Sequence, residues 1–181
     1  MALGSKVSAL RRAKALPPVG TGARERRLHL QAHNYWATLP RAGSVPHWRD
    51  FDPMMIDDRC TQSFVIDLDA GEPPHLRLIG EALQAEGVVD TDLLGLPDAP
   101  PGSLLMRISS YLPELLTRAV PLSVEAPYET ADGIPGIYRA LLMPFTTDGN
   151  GIDVVFGVVS WRETARAGER PDAARIVPIR S

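Results

Sequence analysis

A single cysteine stands among the 181 residues, so no intrachain disulfide can form. No apolar run reaches the roughly 18 residues that a membrane helix needs. No apolar core near the N-terminus marks a secretory signal, so the expectation is a soluble, cytoplasmic protein. The Gly-x-Ser-x-Gly elbow of many serine hydrolases is missing. A glycine-rich phosphate loop and a dinucleotide fingerprint are missing too. A triad of Ser109, His75 and an aspartate can be drawn, but nothing in the pattern would present the serine. Enzymatic activity is therefore not expected.

What is present fits one ordinary domain with tails. The chain is 44% hydrophobic, enough for a core of normal size. Seventeen prolines and 15 glycines point to many turns. The net charge of −3 hides an asymmetry. Lys6, Arg11, Arg12, Lys14, Arg24, Arg26 and Arg27 face only Glu25 in the first 27 residues, and the rest is correspondingly acidic. A basic tail can bind an anionic partner. Here no aromatics are interleaved for base stacking, so nucleic acid is not the expected partner. Residues 1–24 read as a disordered, solvated tail, closed by Pro17, Pro18, Gly20 and Gly22.

From Arg26 to Leu39, Leu28, Ala32, Tyr35, Trp36 and Leu39 recur at helical spacing, and Pro40 closes the helix. Asp52-Pro53 offers an N-cap and a first-turn proline for a short helix to about Arg59. Residues 63–68 alternate strictly, with Phe64, Ile66 and Leu68 on one face. A turn at 69–74 leads to a second strand at 75–79. Gly80 then lets the chain turn tightly into a short helix at 81–86. Residues 87–101 read as loop. Ser103 caps a longer helix with Leu104, Leu105, Ile108, Tyr111, Leu112, Leu115 and Leu116, which Pro113 should kink or split. Three strands follow, at 122–129, 136–145 and 152–161, the last two joined by the strong turn signal of 146–151. Pro127 argues that the first of them lies at an edge. Residues 164–181 read as a flexible tail. Phe64, Ile66, Leu76, Leu78, Leu141, Met143, Val154, Phe156 and Val158 are the expected members of one buried sheet face.

The order is helix, helix, two strands, two helices, three strands. This makes an α+β domain with a five-stranded antiparallel sheet. Tyr35-Trp36, the loop into Asp52-Pro53, Phe64-Val65-Ile66-Asp67, Arg77-Leu78 with Gly80, and Tyr138-Arg139-Ala140-Leu141-Leu142-Met143-Pro144 together resemble the bacterial PAS sensory domains of the type common in alphaproteobacteria. The resemblance covers residues 28–163 and implies a PAS-like domain over 25–163, with helices on one face of the sheet and an N-terminal flanking helix. The sequence departs from the family where Glu81 stands in place of a threonine. It departs again where Gly87 to Gly95 keeps the glycines but lacks the family's Arg and Thr.

The resemblance implies a sensor that binds haem, flavin, a small acid or nothing. A haem ligand is expected as a histidine on the long helix, and 103–118 has none. A photoactive flavin needs a cysteine after the second strand, whereas Cys60 precedes the first and reads as a half-buried structural thiol. No cofactor is expected. His29 and His33, one turn apart, could begin a zinc site, but no third ligand is near in sequence, so no metal is expected. Asp50, Asp52, Asp57 and Asp58 read as one cap and a solvated cluster. Trp36, Trp48 and Tyr35 read first as packing. Arg77 should point outward by alternation with Leu76 and Leu78. Arg139 shares its face with Leu141 and Met143, where a guanidinium needs a carboxylate from the protein or a ligand. The candidate ligand-binding residues are Arg139, Tyr111, Trp36 and Tyr138.

The resulting expectation is a non-enzymatic signalling module that works through protein contact, with or without a small ligand. The alternatives are a small enzyme on a similar fold, which would show a polar pocket with a buried carboxylate or His of shifted pKa, and a structural adaptor with a filled core. A homodimer through the helix from Arg26 to Leu39 is also expected, unless that helix packs wholly on its own sheet.

Overall fold

The computed structural model of the chain describes residues 21–56, 60–69, 71–86, 95, 101–130, 133–164 and 174–179. The tail at 1–20, Asp57 and Asp58, and most of the loop from Gly87 onward lie outside the described residues. Helix α1 spans Thr21–Thr38, starting five residues before the expected Arg26. A small hairpin follows, β1 (Arg41–Ala42) and β2 (Val45–Pro46), turning through Gly43 at φ 83°. Sequence patterning showed this segment only as loop. Single 3-10 turns then occupy Trp48–Asp50 and Pro53–Met55. Asp52 caps the second as anticipated, its Oδ1 accepting from the Met54 amide at 3.0 Å.

The main sheet comprises β3 (Ser63–Asp67), β4 (His75–Ile79), β5 (Leu122–Glu129), β6 (Pro135–Phe145), β7 (Val154–Glu163) and β8 (Arg175–Ile176). Its order is β4-β3-β7-β6-β5-β8, antiparallel throughout. The two-residue β8 is a sixth strand laid on the edge of β5. The C-terminal segment therefore returns to the sheet, where a free tail was expected. Between β4 and β5 come α2 (Glu81–Ala85), α3 (Leu104–Ser109) and α4 (Leu112–Arg118). Ser103 caps α3 through its hydroxyl, and Pro113 sits in the first turn of α4. The expected long helix is thus split at the proline, which has no amide hydrogen to continue the ladder.

Both sheet faces are buried, by different elements. The inner face carries Phe64, Ile66, Leu76, Leu122, Val124, Tyr138, Ala140, Leu142, Val155 and Val159 and packs against Leu83, Leu104, Leu105, Ile108, Leu112 and Leu115 of α2–α4. The outer face carries Val65, Leu141, Met143, Phe145, Val154, Phe156 and Val158 and packs against Ala32, Trp36 and Leu39 of the α1 region, with Val45, Phe51 and Ile56. The expected single face therefore divides in two. Leu78 belongs to neither and is exposed. The cause is an irregularity in the β3–β4 ladder: Val65 pairs with Leu78 but Ile66 pairs with Leu76, so Arg77 is the extra residue. A bulge of this kind resets the alternation and turns Leu78 outward.

Two glycines are required by close approach rather than by turn geometry. Gly80 has ordinary extended φ and ψ, but a Cβ there would lie 2.3 Å from the carbonyl oxygens of Cys60 and Thr61. A Cβ on Gly157 would lie 2.0 Å from the Phe64 ring, which sits across the strand from it.

Candidate functional site

The outer face changes character along its length. Near β2 and the 3-10 turns it is aromatic. Phe51 stacks on Tyr35 and meets Phe145 and Phe156 at centroid distances of 4.6 and 4.9 Å. Trp36 Nε1 donates to the Pro144 carbonyl at 2.9 Å, and the Arg41 guanidinium lies 3.9 Å from the Trp36 ring. These contacts pin α1 to β6. Arg77, the extra residue of the bulge, pairs with Asp67 and lies 5.5 Å from the Trp48 ring; it is exposed as expected, although Leu78, which that expectation placed inward, is exposed too.

Toward the β5–β8 edge the same face turns polar. Arg175, Glu125, Arg139 and Ser160 stand opposite one another on β8, β5, β6 and β7, forming one rung across four strands. Alternation forces all four onto the outer face together. Glu125 accepts from Arg139 Nη2 with one oxygen and from Arg175 Nη2 at 2.7 Å with the other. Burial raises the Glu125 pKa, but the hydrogen bonds from Arg175 and Arg139 outweigh it and hold the carboxyl below its usual range. From α1, His29 reaches this region almost fully buried. Neither of its ring nitrogens has a hydrogen-bond partner. Burial, aided by the positive charge of Arg139, lowers its pKa to about 4, so the ring is neutral at pH 7. Arg139 Nε and Ser160 Oγ are likewise buried without partners. Each such group costs roughly 1–3 kcal/mol while unmet.

A cleft of about 790 Å³ opens here. Its lining joins His29 and Leu30 of α1, Ser123, Arg139 and Leu141 of the sheet, and the C-terminal stretch 175–179. The Val177 amide donates to the Ser123 carbonyl at 2.9 Å and holds that stretch in place. A second, smaller hollow of about 410 Å³ lies at the other end of the sheet, between Asp67, Asp69, Arg77 and the turn carrying Asp148 and Asp153.

The four candidate ligand residues part company in the structure. Trp36 and Arg139 lie on the outer face, Trp36 in the aromatic end and Arg139 in the cleft. Tyr138 is on the inner face, edge-on to Tyr128 at 6.0 Å, with Tyr111 packed against the same core. Burial, then the neighbouring Tyr111, raises the Tyr138 phenol well above its ordinary value. Burial and the Glu86 and Glu163 carboxylates do the same to Tyr128. His29 and His33 show no third ligand, and the described residues contain no group of three or more that could hold a metal. Cys60, half-buried, sits in the turn before β3. Sequence reasoning passed over Glu125, Ser123 and Ser160, whose signal was polar residues alternating with apolar ones on otherwise buried strands. It read His29 only as a metal ligand.

The sequence profile of the PAS domain family matches residues 25–160. The chain belongs to the PAS domain family. The comparison with curated proteins returns no match. Among solved structures the chain is similar to the LOV protein of Rhodobacter sphaeroides at 18% identity and a TM-score of 0.37, over 59% of this chain and 60% of that one. A point variant of RsLOV aligns at 18% identity and a TM-score of 0.43, over 63% of this chain and 66% of that one. The RsLOV d2 variant aligns at 18% identity and 0.38, over 59% and 61%. The matches thus span under two thirds of those chains. No helix among the described residues is long and apolar enough to cross a membrane.

Proposed function

We propose that this PAS domain is a cytoplasmic, non-enzymatic signalling module that takes a small-molecule input and passes it on by contact with a partner protein. One observation carries the reading: α1 is both a wall of the polar cleft, through His29 and Leu30, and the flanking helix of the domain. Occupancy of the cleft would change how α1 is held. A partner reading α1 would feel that change. Gln31 Nε2 donates to the Met55 carbonyl at 3.0 Å, tying α1 to the exposed Met54 and Met55. These flexible apolar side chains suit a contact surface.

The burial of the α1 apolar stripe argues against a homodimer built on that stripe. Ala32, Trp36 and Leu39 are already buried on the chain's own sheet. A symmetric pair through them would have to strip them off it.

His29 is the observation that favours an enzyme as the second reading, since it is a buried histidine of shifted pKa beside a cleft. A general base works best with a pKa near the working pH and a group that orients it. His29 has a pKa of about 4 and no hydrogen bond on either nitrogen. It is better suited to meeting a bound molecule than to moving its protons.

In-cell cross-linking of the full chain followed by mass spectrometry tests the proposal. The expected result is a stoichiometric protein partner linked through α1 or the Met54–Met55 turn. No such partner, together with multiple-turnover conversion of a small molecule by the purified chain, would replace the module with the enzyme.

A further inference from the structure

We propose that the edge of β5 now covered by β8 is a docking groove for an extended peptide of a partner protein, one with a basic residue followed at two-residue steps by two apolar ones. The inference goes beyond the reading above and does not depend on it.

The segment already lying there shows what the groove takes. Arg175 and Ile176 pair antiparallel with Glu125 and Val124, and the Val177 amide donates to the Ser123 carbonyl at 2.9 Å. Arg175 Nη2 donates to Glu125 Oε1 at 2.7 Å. Val177 and Ile179 are half-buried, whereas Ile176 and Pro178 are exposed. This period of two is that of a strand whose alternate side chains turn toward the outer face. Ile179 packs against the outer-face core. The pattern is therefore a cation at Glu125, then apolar side chains two and four residues on.

The segment is held lightly. β5 pairs with β6 along all eight of its residues but with β8 along two. A strand with so few ladder bonds, and with both paired residues exposed, opens at low local free energy. The edge it leaves is a template for another chain. In such strand addition the main chain supplies affinity and alternate side chains supply specificity.

Pro127 fixes the register. In an antiparallel ladder the groups that face one neighbour recur at every second residue. Ser123 faces β8, so positions 125 and 127 do too. Pro127 has no amide hydrogen, so pairing on that side stops beyond Glu125. A peptide is thereby held around Ser123 and Glu125, where the carboxylate meets its cation.

The chain's own segment also underfills the groove. A cleft of about 790 Å³ remains between it, α1 and the sheet. Side chains bulkier than Val177 and Ile179 would occupy that space, which lets a partner compete with a tethered segment.

Fluorescence polarisation at pH 7, with the full chain and labelled peptides, tests this. The peptide Arg-Ile-Val-Pro-Ile should bind saturably. Its affinity should rise at least about fivefold in Arg175→Glu, which sets a carboxylate against Glu125 and unseats β8. Arg175 is exposed, so that variant keeps the fold. The peptide N-methylated at Val, and the peptide with Glu in the first place, should each bind about tenfold more weakly or worse. Arg-Ile-Leu-Pro-Phe should bind severalfold more tightly. No saturable binding to Arg175→Glu, or equal affinity for the N-methylated or charge-reversed peptide, would overturn the groove. Weaker binding of the bulkier peptide would overturn a partner as its occupant. So would a wild-type dimer in sedimentation that Arg-Ile-Val-Pro-Ile dissociates, since the edge would then belong to a second copy of this chain.

Discussion

The two faces of one sheet are buried by different means. The inner face is closed by three short helices with almost purely apolar side chains, and Phe64 fills the space left by Gly157. The outer face is closed by one long helix and by the segment that follows it, with Val45, Phe51 and Ile56, and its cover is uneven: aromatic packing and the Trp36–Pro144 hydrogen bond at one end, unmet polar atoms and an open cleft at the other. Close packing leaves no room for a ligand and gains stability. Buried polar atoms without partners lose stability unless something meets them. The inner face is thus closely packed, the outer one holds unmet polar atoms beside a cleft, and the strands carry both by alternation alone.

The contrast breaks most readily at Phe64. Phe64→Ala opens a cavity against Gly157 and should cost about 3–5 kcal/mol in urea denaturation. A loss below about 1 kcal/mol would mean that the inner face is not the packed side.

His29 sharpens the outer side through pH. Its pKa is lowered from 6.5 to about 4 on folding, so between those values the unfolded chain binds the extra proton. Stability therefore rises with pH across that window, being complete above about 6.5 and lost as pH falls toward 4. The full effect is roughly 3 kcal/mol. In His29→Asn this part of the pH dependence of thermal unfolding should vanish. Glu125 acts in the same direction lower down, since its folded pKa is depressed from 4.5, and its contribution is lost as pH falls below that value.

A charge at Leu28, half-buried where α1 meets the outer face, should cost roughly 1–3 kcal/mol. Leu28→Asp should lower the thermal midpoint without changing the sedimenting species. A wild-type dimer that becomes a folded monomer with its midpoint unchanged would place α1 between subunits instead.

The smallest effect belongs to Arg77, which is exposed although its partner Asp67 is half-buried. Arg77→Gln should change stability by less than about 1 kcal/mol, and salt should mask most of that. A larger loss would show that the Trp48 contact carries weight.

Much of this fold could be read in advance where a residue's chemistry acts locally. The alternation of 63–67, the Ser103 cap, the split at Pro113 and the turn at 146–151 all answer to near neighbours. What could not be read depended on register. Segments 140–145 and 154–159 offer little period-two signal: they are apolar on both faces because both faces are covered, so face assignment there was open. The extra residue at Arg77 is invisible until β3 and β4 are paired. Of the candidate site, Arg139 was legible as a guanidinium among apolar residues. Its companions were not, because Glu125, Ser160, Arg175 and His29 come together only through three strand pairings and the seating of α1.

Paired substitutions test the contrast most directly. Phe64→Ala should cost about 3–5 kcal/mol, whereas Ser160→Ala, which removes a buried hydroxyl that has no partner, should cost less than about 1 kcal/mol or stabilise the fold. A larger loss from Ser160→Ala than from Phe64→Ala would contradict the account.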